Sequence, residues 1–323
     1  MTMRDIESGD APAIARIVRR TTVLHRQVDG ELEGILYRLL REQRVIGVVV
    51  EQADGSGDGS PAMVGVTFSG FLEPAFARAY RAAPTPLLTS QALASALAEN
   101  CLLLDPRGQA AGNLADGLDL AVLEMTVTLP DAASQAYREI LYMIYGAHLE
   151  FLRGYKVRSI MTEASEEFEP MIEGTGLRTV SRHRLDMQAG DVVSPPSRSP
   201  NRCLFAISRD ELPALPTSSA ASVVMTYVAP SLRLTPREQR FLTLALRGMT
   251  DNALAEALSV SPNAVKQTWR NIYQHVLDVL PPVFDGLSGD GNSASRGSEK
   301  RRKVLVHIRN NLQELRPHHL RRK

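Results

Sequence analysis

Three helix starts follow one another within 27 residues near the carboxyl end: Thr235-Pro236-Arg237-Glu238, then Thr250, then Ser261-Pro262. Thr235 and Glu238 have capping-box spacing. The hydroxyl can accept from the third helical amide while the carboxylate reaches back, and Pro236 takes the first helical position, where its missing N–H costs nothing. An apolar stripe of Phe241, Leu242, Ala245 and Leu246 then ends before Gly248. A short helix is expected from Thr250 to Leu258, and only Ser259, Val260 and Ser261 separate it from a third helix that again has proline just inside its cap. Two helices joined so tightly must cross closely. Ala255 is small enough to allow it, and Leu254, Leu258, Val260 and Val265 supply an apolar seam, so the segment reads as a helix-turn-helix.

At 100° per residue, Val265, Trp269, Ile272 and Val276 of the third helix fall on one face, predicted to be buried. Asn263, Lys266, Gln267, Arg270 and Gln274 gather on another, a row of donors and amides with no carboxylate. Such side chains match the acceptors of the DNA major groove. The stretch LTPREQRFLTLALRGMTDNALAEALSVSPNAVKQTWRNIY resembles the LuxR-type (NarL/FixJ-like) DNA-binding domain. The resemblance implies that Lys266, Gln267 and Arg270 address base edges. It also implies that Thr250, Ser261, Asn263 and Lys266 hold phosphates. The sequence departs from the family where Ser259 stands for the usual turn glycine and Trp269 for the common leucine. It departs again where LPPVFDGLSGDGNSASRG displaces the fourth helix. That helix is expected later, with Val304, Leu305, Ile308, Leu312 and Leu315 on one side and the basic run Lys300, Arg301, Arg302 and Lys303 near phosphates.

Charge divides the chain in the same place. Residues 231–323 hold 16 Lys+Arg against 8 Asp+Glu, which leaves 21 against 28 of the total 37 and 36 for residues 1–230. A net +8 segment therefore follows a −7 one, and a basic segment suits a polyanion. Cys101 and Cys203 are the only cysteines, and no histidines stand at metal-ligand spacing, so neither a disulfide framework nor a metal site is expected, and no cofactor. No run of 18 apolar residues occurs and MTMRDIESGD lacks a signal-peptide core, which predicts a cytoplasmic protein with no membrane partner.

The amino-terminal half alternates short apolar runs with amphipathic stretches, the pattern of mixed α/β structure. Helices are expected at 10–20, 31–42, 136–152 and 166–173, and strands at 45–51, 63–71, 118–129, 159–162, 177–185 and 202–208. The loop ADGSGDGSPA alternates Asp54, Ser56, Asp58 and Ser60 as calcium loops do, but no Glu follows at the twelfth position, so it reads as a hairpin connection. The order of elements, with MIEGTGLRTV as a helix-turn-strand, resembles the GCN5-related N-acetyltransferase fold over 1–208. In that family the strand corresponding to 118–129 is followed by an Arg/Gln-x-x-Gly-x-Gly/Ala loop whose bare amides bind the pyrophosphate of acyl-CoA. Here the place reads LPDAASQAYRE, with no glycine and an aspartate at the helix start. Glu124 lies where a general base could sit, and Tyr137, Tyr142 and Tyr145 could supply a proton. Without the loop they specify no reaction, and the expectation is a solvent-facing Glu with core-edge tyrosines. His25, His148 and His183 are separated singletons, read as structural.

The expected architecture is thus an α+β (mixed α/β), acetyltransferase-like domain at 1–208. A Pro/Ser-rich linker at 209–230 and an all-α helix-turn-helix domain at 231–323 follow. The expected function is a DNA-binding transcriptional regulator, not an enzyme, whose recognition helix 262–276 enters the major groove of double-stranded DNA. It would act as a homodimer with an amino-terminal domain that senses a small-molecule effector or partner. The alternative is an acyl-CoA-dependent N-acyltransferase fused to a DNA-targeting module.

Overall fold

The computed structural model describes every residue except 54–60, 99, 187–191, 194–198, 285–292 and 319–323, so most of the expected hairpin connection ADGSGDGSPA lies outside the described residues. The chain forms two compact units, Met1–Thr226 and Tyr227–Lys323.

In the first unit the elements run β1 (Thr2–Asp5), α1 (Ala11–Thr21), β2 (Leu24–His25), α2 (Arg26–Arg41), β3 (Val45–Gln52), β4 (Ala62–Leu72), α3 (Pro74–Ala82), α4 (Leu88–Ala94), α5 (Pro106–Leu114), β5 (Leu118–Val127), α6 (Gln135–Leu152), β6 (Val157–Ser165), α7 (Glu169–Glu173), β7 (Arg178–Arg184), β8 (Val192–Val193), β9 (Asn201–Ser208) and α8 (Ala220–Met225). Seven strands make one sheet in the order β1-β3-β4-β5-β6-β9-β7, while β2 and β8 pair separately. Every neighbour in the large sheet is antiparallel except β5 and β6, which run parallel because α6 carries the chain back over the sheet.

Apolar residues on the two sheet faces bury against different helices. Leu32, Leu36 and Leu39 of α2 and Leu88 and Leu93 of α4 pack with Val66, Phe68, Ala121 and Leu123 on one face. Ile140 and Ile144 of α6 meet Val50, Val64 and Val127 on the other. Gly65 permits that approach, since a Cβ there would lie 2.5 Å from the Ile144 side chain. Residues 209–225 fall within this unit: Ala221, Val224 and Met225 join Leu120, Phe205 and Ile207 in a core cluster.

The second unit contains α9 (Pro236–Leu246), α10 (Asp251–Ala257), α11 (Pro262–Val279) and α12 (Ser293–Asn310). Thr235 forms the capping box with Glu238, Thr250 caps α10, and Ser261 caps α11. Val265, Trp269, Ile272 and Val276 are buried with Phe241 and Leu254, as the helical wheel predicts. Ser259 adopts φ +52°, a left-handed conformation that strains any residue with a Cβ, in the turn before α11. The helix expected to carry Val304, Leu305, Ile308, Leu312 and Leu315 on one side is broken. It stops at Asn310, and the side-chain amide of Asn311 donates to the His307 carbonyl at 2.9 Å, satisfying a helix-end acceptor before a separate short 3₁₀ turn at Leu312–Leu315.

Candidate functional site

A one-residue insertion in β5 creates the most chemically distinctive place in the first unit. Phe68 of β4 stands opposite Glu124, but Ser69 stands opposite Val122, so Leu123 is an extra residue with no partner in β4. Such a bulge reverses the alternation of side chains beyond it. Before it, Leu118 and Leu120 pack in the core that contains Leu152, near the end of α6. After it, Glu124 turns to the opposite face and reaches the end of α1, where the Thr21 hydroxyl donates to its Oε2 at 3.1 Å. The Thr22 hydroxyl donates to the same oxygen, and the Met125 amide to Oε1 at 3.1 Å. Glu124 is 9% exposed, so the expected solvent-facing carboxylate is instead buried and hydrogen-bonded.

At the same level β5 and β6 part. Their parallel register runs from Leu118 opposite Val157 to Val122 opposite Thr162 and goes no further. Helix α4 is bonded to both strands where the pairing ends. The Thr89 hydroxyl donates to the Leu123 carbonyl at 2.9 Å, and the Leu88 amide donates to Glu163 Oε2 of β6 at 2.7 Å. Glu163 also holds Arg202 at 3.1 Å in a pair buried on both sides. The residue that leads into α4, Leu87, has φ +70° and is buried.

Beneath Glu124, the Thr67 hydroxyl donates to the Glu124 carbonyl at 3.0 Å and lies 3.3 Å from His148 Nδ1. His148 Nε2 is buried with no hydrogen-bond partner among the described residues, and desolvation holds the imidazole pKa down at about 4, so the ring is neutral at pH 7. Of the tyrosines, Tyr142 is 72% exposed, whereas burial raises the pKa of Tyr145 above the usual phenol range. Neither Thr21, Thr22, Thr67 nor Thr89 carried a sequence signal, because a threonine acquires this role only from its place in the fold.

The turn from β5 to α6 was tested against the pyrophosphate of acyl-CoA. Asp131 Oδ1 accepts from the Ala133 amide at 2.9 Å, the Asp131 carbonyl accepts from the Ser134 amide at 3.2 Å, and Ser134 Oγ accepts from the Tyr137 amide at 3.1 Å. Three amides at the helix start are thus already bonded within the chain, and an exposed aspartate opposes an anion there. The turn does not fit a pyrophosphate. Among the described residues no three His, Cys, Asp or Glu side chains cluster as metal ligands, and no helix is long and apolar enough to cross a membrane.

In the second unit Asn263, Lys266, Gln267, Arg270 and Gln274 are all exposed on α11, and Thr250 and Ser261 are exposed at its approaches. Gln267 donates to Asn271 at 2.8 Å and Gln274 to Asp278 at 2.7 Å, so a carboxylate does join this row at its far end. The basic run on α12 is dispersed. Arg301 pairs with Asp251 at 2.7 Å and lies 4.7 Å over the Trp269 ring, and Lys300 lies 5.7 Å over the Phe284 ring. Arg302 pairs with Glu299 at 2.6 Å, and Lys303 is half-buried.

No protein-family model matches the chain, and no curated protein resembles it in sequence. Solved structures that resemble it cover its amino-terminal two thirds. NAA60 of Arabidopsis thaliana in complex with acetyl-CoA is 12% identical, with a TM-score of 0.39, over 65% of this chain and 98% of that one. A mosquito arylalkylamine N-acetyltransferase like 5b is 13% identical, with a TM-score of 0.36, over 64% and 99%. A polyamine N-acetyltransferase of Drosophila melanogaster is 11% identical, with a TM-score of 0.34, over 64% and 99%.

These findings correct the expectation of a non-enzymatic, DNA-binding transcriptional regulator of LuxR type. No LuxR-type model matches, and the similar structures are acetyltransferases or hold acetyl-CoA. Double-stranded DNA as partner is withdrawn with it, as are the homodimer on half-sites and the effector-sensing role that belonged to that regulator. The amino-terminal unit has a mixed α/β fold built on a seven-stranded sheet. At these scores the likenesses place no ligand and assign no residue.

Proposed function

We propose that the amino-terminal unit is an acyl-CoA-dependent N-acyltransferase in which Glu124 takes the proton that an amine loses on acylation. The observation that carries this reading is the bulge at Leu123, which sets a carboxylate at the place where the parallel strands β5 and β6 stop pairing. Three donors hold that carboxylate in one orientation, from Thr21, Thr22 and Met125. A positioned general base of this kind contributes roughly 10²- to 10⁴-fold to a rate. The β5–α6 turn is not assigned to the donor, because three of its amides are already bonded and the exposed Asp131 opposes an anion there. The catalytic region of this reading is the first compact unit, Met1–Thr226, which takes in most of the stretch expected from the sequence to be a linker at 209–230.

The test is calorimetric titration of the full chain with acetyl-CoA, followed by thiol release in the presence of a panel of primary amines and polyamines. Micromolar binding together with amine-dependent thiol release supports the reading. Failure to bind acetyl-CoA at any temperature at which the chain is folded refutes it.

A further inference from the structure

At the other end of the β5–β6 pair, five residues before Glu124 along β5 and so roughly 17 Å from it at 3.3 Å per residue, the sheet, α3 and the chain just after β9 line an open polar cavity. It has a volume of about 260 Å³ and is lined by Ala77, Arg78, Arg81, Asp119, Arg158, Ser159, Ser208 and Asp210. Small-molecule sites typically span about 300 to 1,000 Å³, so this one admits only a small ligand or a small part of one.

Three guanidiniums face this space, and they are not equivalent. Arg158 is occupied: its Nε donates to Asp119 Oδ1 at 3.1 Å and a second nitrogen bonds Oδ2, while the Ser159 hydroxyl adds a further donor to Asp119 at 2.6 Å. The Asp119 side chain is buried, so its charge is spent inside the wall. Arg81 is half-occupied, with Glu211 at 3.2 Å and the Ser208 hydroxyl at 3.4 Å. Arg78 is different. It is exposed, and among the described residues it makes no hydrogen bond and no ion pair. It precedes Arg81 by one turn of α3, and like charges at that spacing repel by a few tenths of a kcal/mol. Asp210 is the remaining carboxylate on the wall, and it is exposed at the rim, where water screens it. The wall therefore fixes two guanidiniums with internal acids and leaves the third without a counter-charge.

We propose that this cavity is a binding site for the oxyanion of a small ligand, a phosphate or a carboxylate group, received on the guanidinium fork of Arg78 with Arg81 and Arg158 flanking it. The planar fork suits either anion, because both offer two oxygens at matching spacing. The site is separate from Glu124, and its occupancy does not depend on the acyl-transfer reading.

The experiment titrates the full chain with inorganic phosphate and, separately, with acetate, each against chloride at equal ionic strength, following the melting temperature and the heat of binding. Arg78→Gln and Arg78→Lys are compared with the wild type. Arg78 is exposed and unbonded, so both variants should fold. A hydrogen bond to a charged group is worth about 1.5 to 3 kcal/mol, which predicts at least a tenfold loss of affinity in Arg78→Gln and partial recovery in Arg78→Lys. Binding of phosphate alone, or of acetate alone, supports the site and identifies the oxyanion class. No stabilisation beyond the chloride control overturns the proposal, as does equal binding by wild type and Arg78→Gln.

Discussion

His148 is neutral in the folded chain for a reason that can be read on a pH axis. Its imidazole is buried against Thr67, and desolvation holds its pKa at about 4 in the folded chain, below the usual 6.5 of a histidine. Between those values the unfolded chain binds a proton that the folded chain refuses, so stability falls as pH drops from 6.5 towards 4. At about 1.4 kcal/mol per pH unit the loss is on the order of 3 kcal/mol at the lower end. Urea midpoints measured across this range should fall more steeply for the wild type than for His148→Gln, and parallel curves would remove the assignment. Glu124 is a different kind of residue. Replacing it by Gln keeps an acceptor for Thr21 and Thr22 but removes the charge and basicity, so the melting temperature should move far less than the rate.

Helix α4 shows what an element contributes beyond its own length. Thr89 supplies the bond that the Leu123 carbonyl does not receive from either neighbouring strand. Thr89→Val keeps the side chain's shape and leaves that carbonyl unsatisfied, a loss expected to cost about 1 to 3 kcal/mol. Chemical denaturation should show it, together with faster amide exchange at residues 88–94. A variant as stable as the wild type would mean that the bond does not hold α4. Much at this scale was legible beforehand. The caps at Thr235, Thr250 and Ser261 stand where local chemistry predicts, and the helix expected at 136–152 forms at Gln135–Leu152. The bulge at Leu123 was not legible, because an extra residue in a strand leaves no mark in composition. Glu124 was therefore assigned to water. The row of donors on α11 was legible as a surface, but a surface does not name its partner, and the comparisons did not support the one inferred.

Across the whole molecule, the two units have separate cores: the apolar cluster around Phe241 and Trp269 draws every member from residues after 227. Trp269 is the chain's single tryptophan and is buried there. Its fluorescence thus reports one unit while far-UV circular dichroism reports both. In a denaturant titration the two signals should give non-coincident transitions, and superimposable curves would show one cooperative unit instead.

The proposed role of the Glu124 carboxylate at the strand divergence is tested most directly by comparing amine acetylation by Glu124→Gln with that of the wild type. With acetyl-CoA and the best amine of the panel, the rate is expected to fall by about 10² or more, with the melting temperature nearly unchanged. Equal rates for the two proteins, or no acetylation by the wild type with any amine, would contradict it.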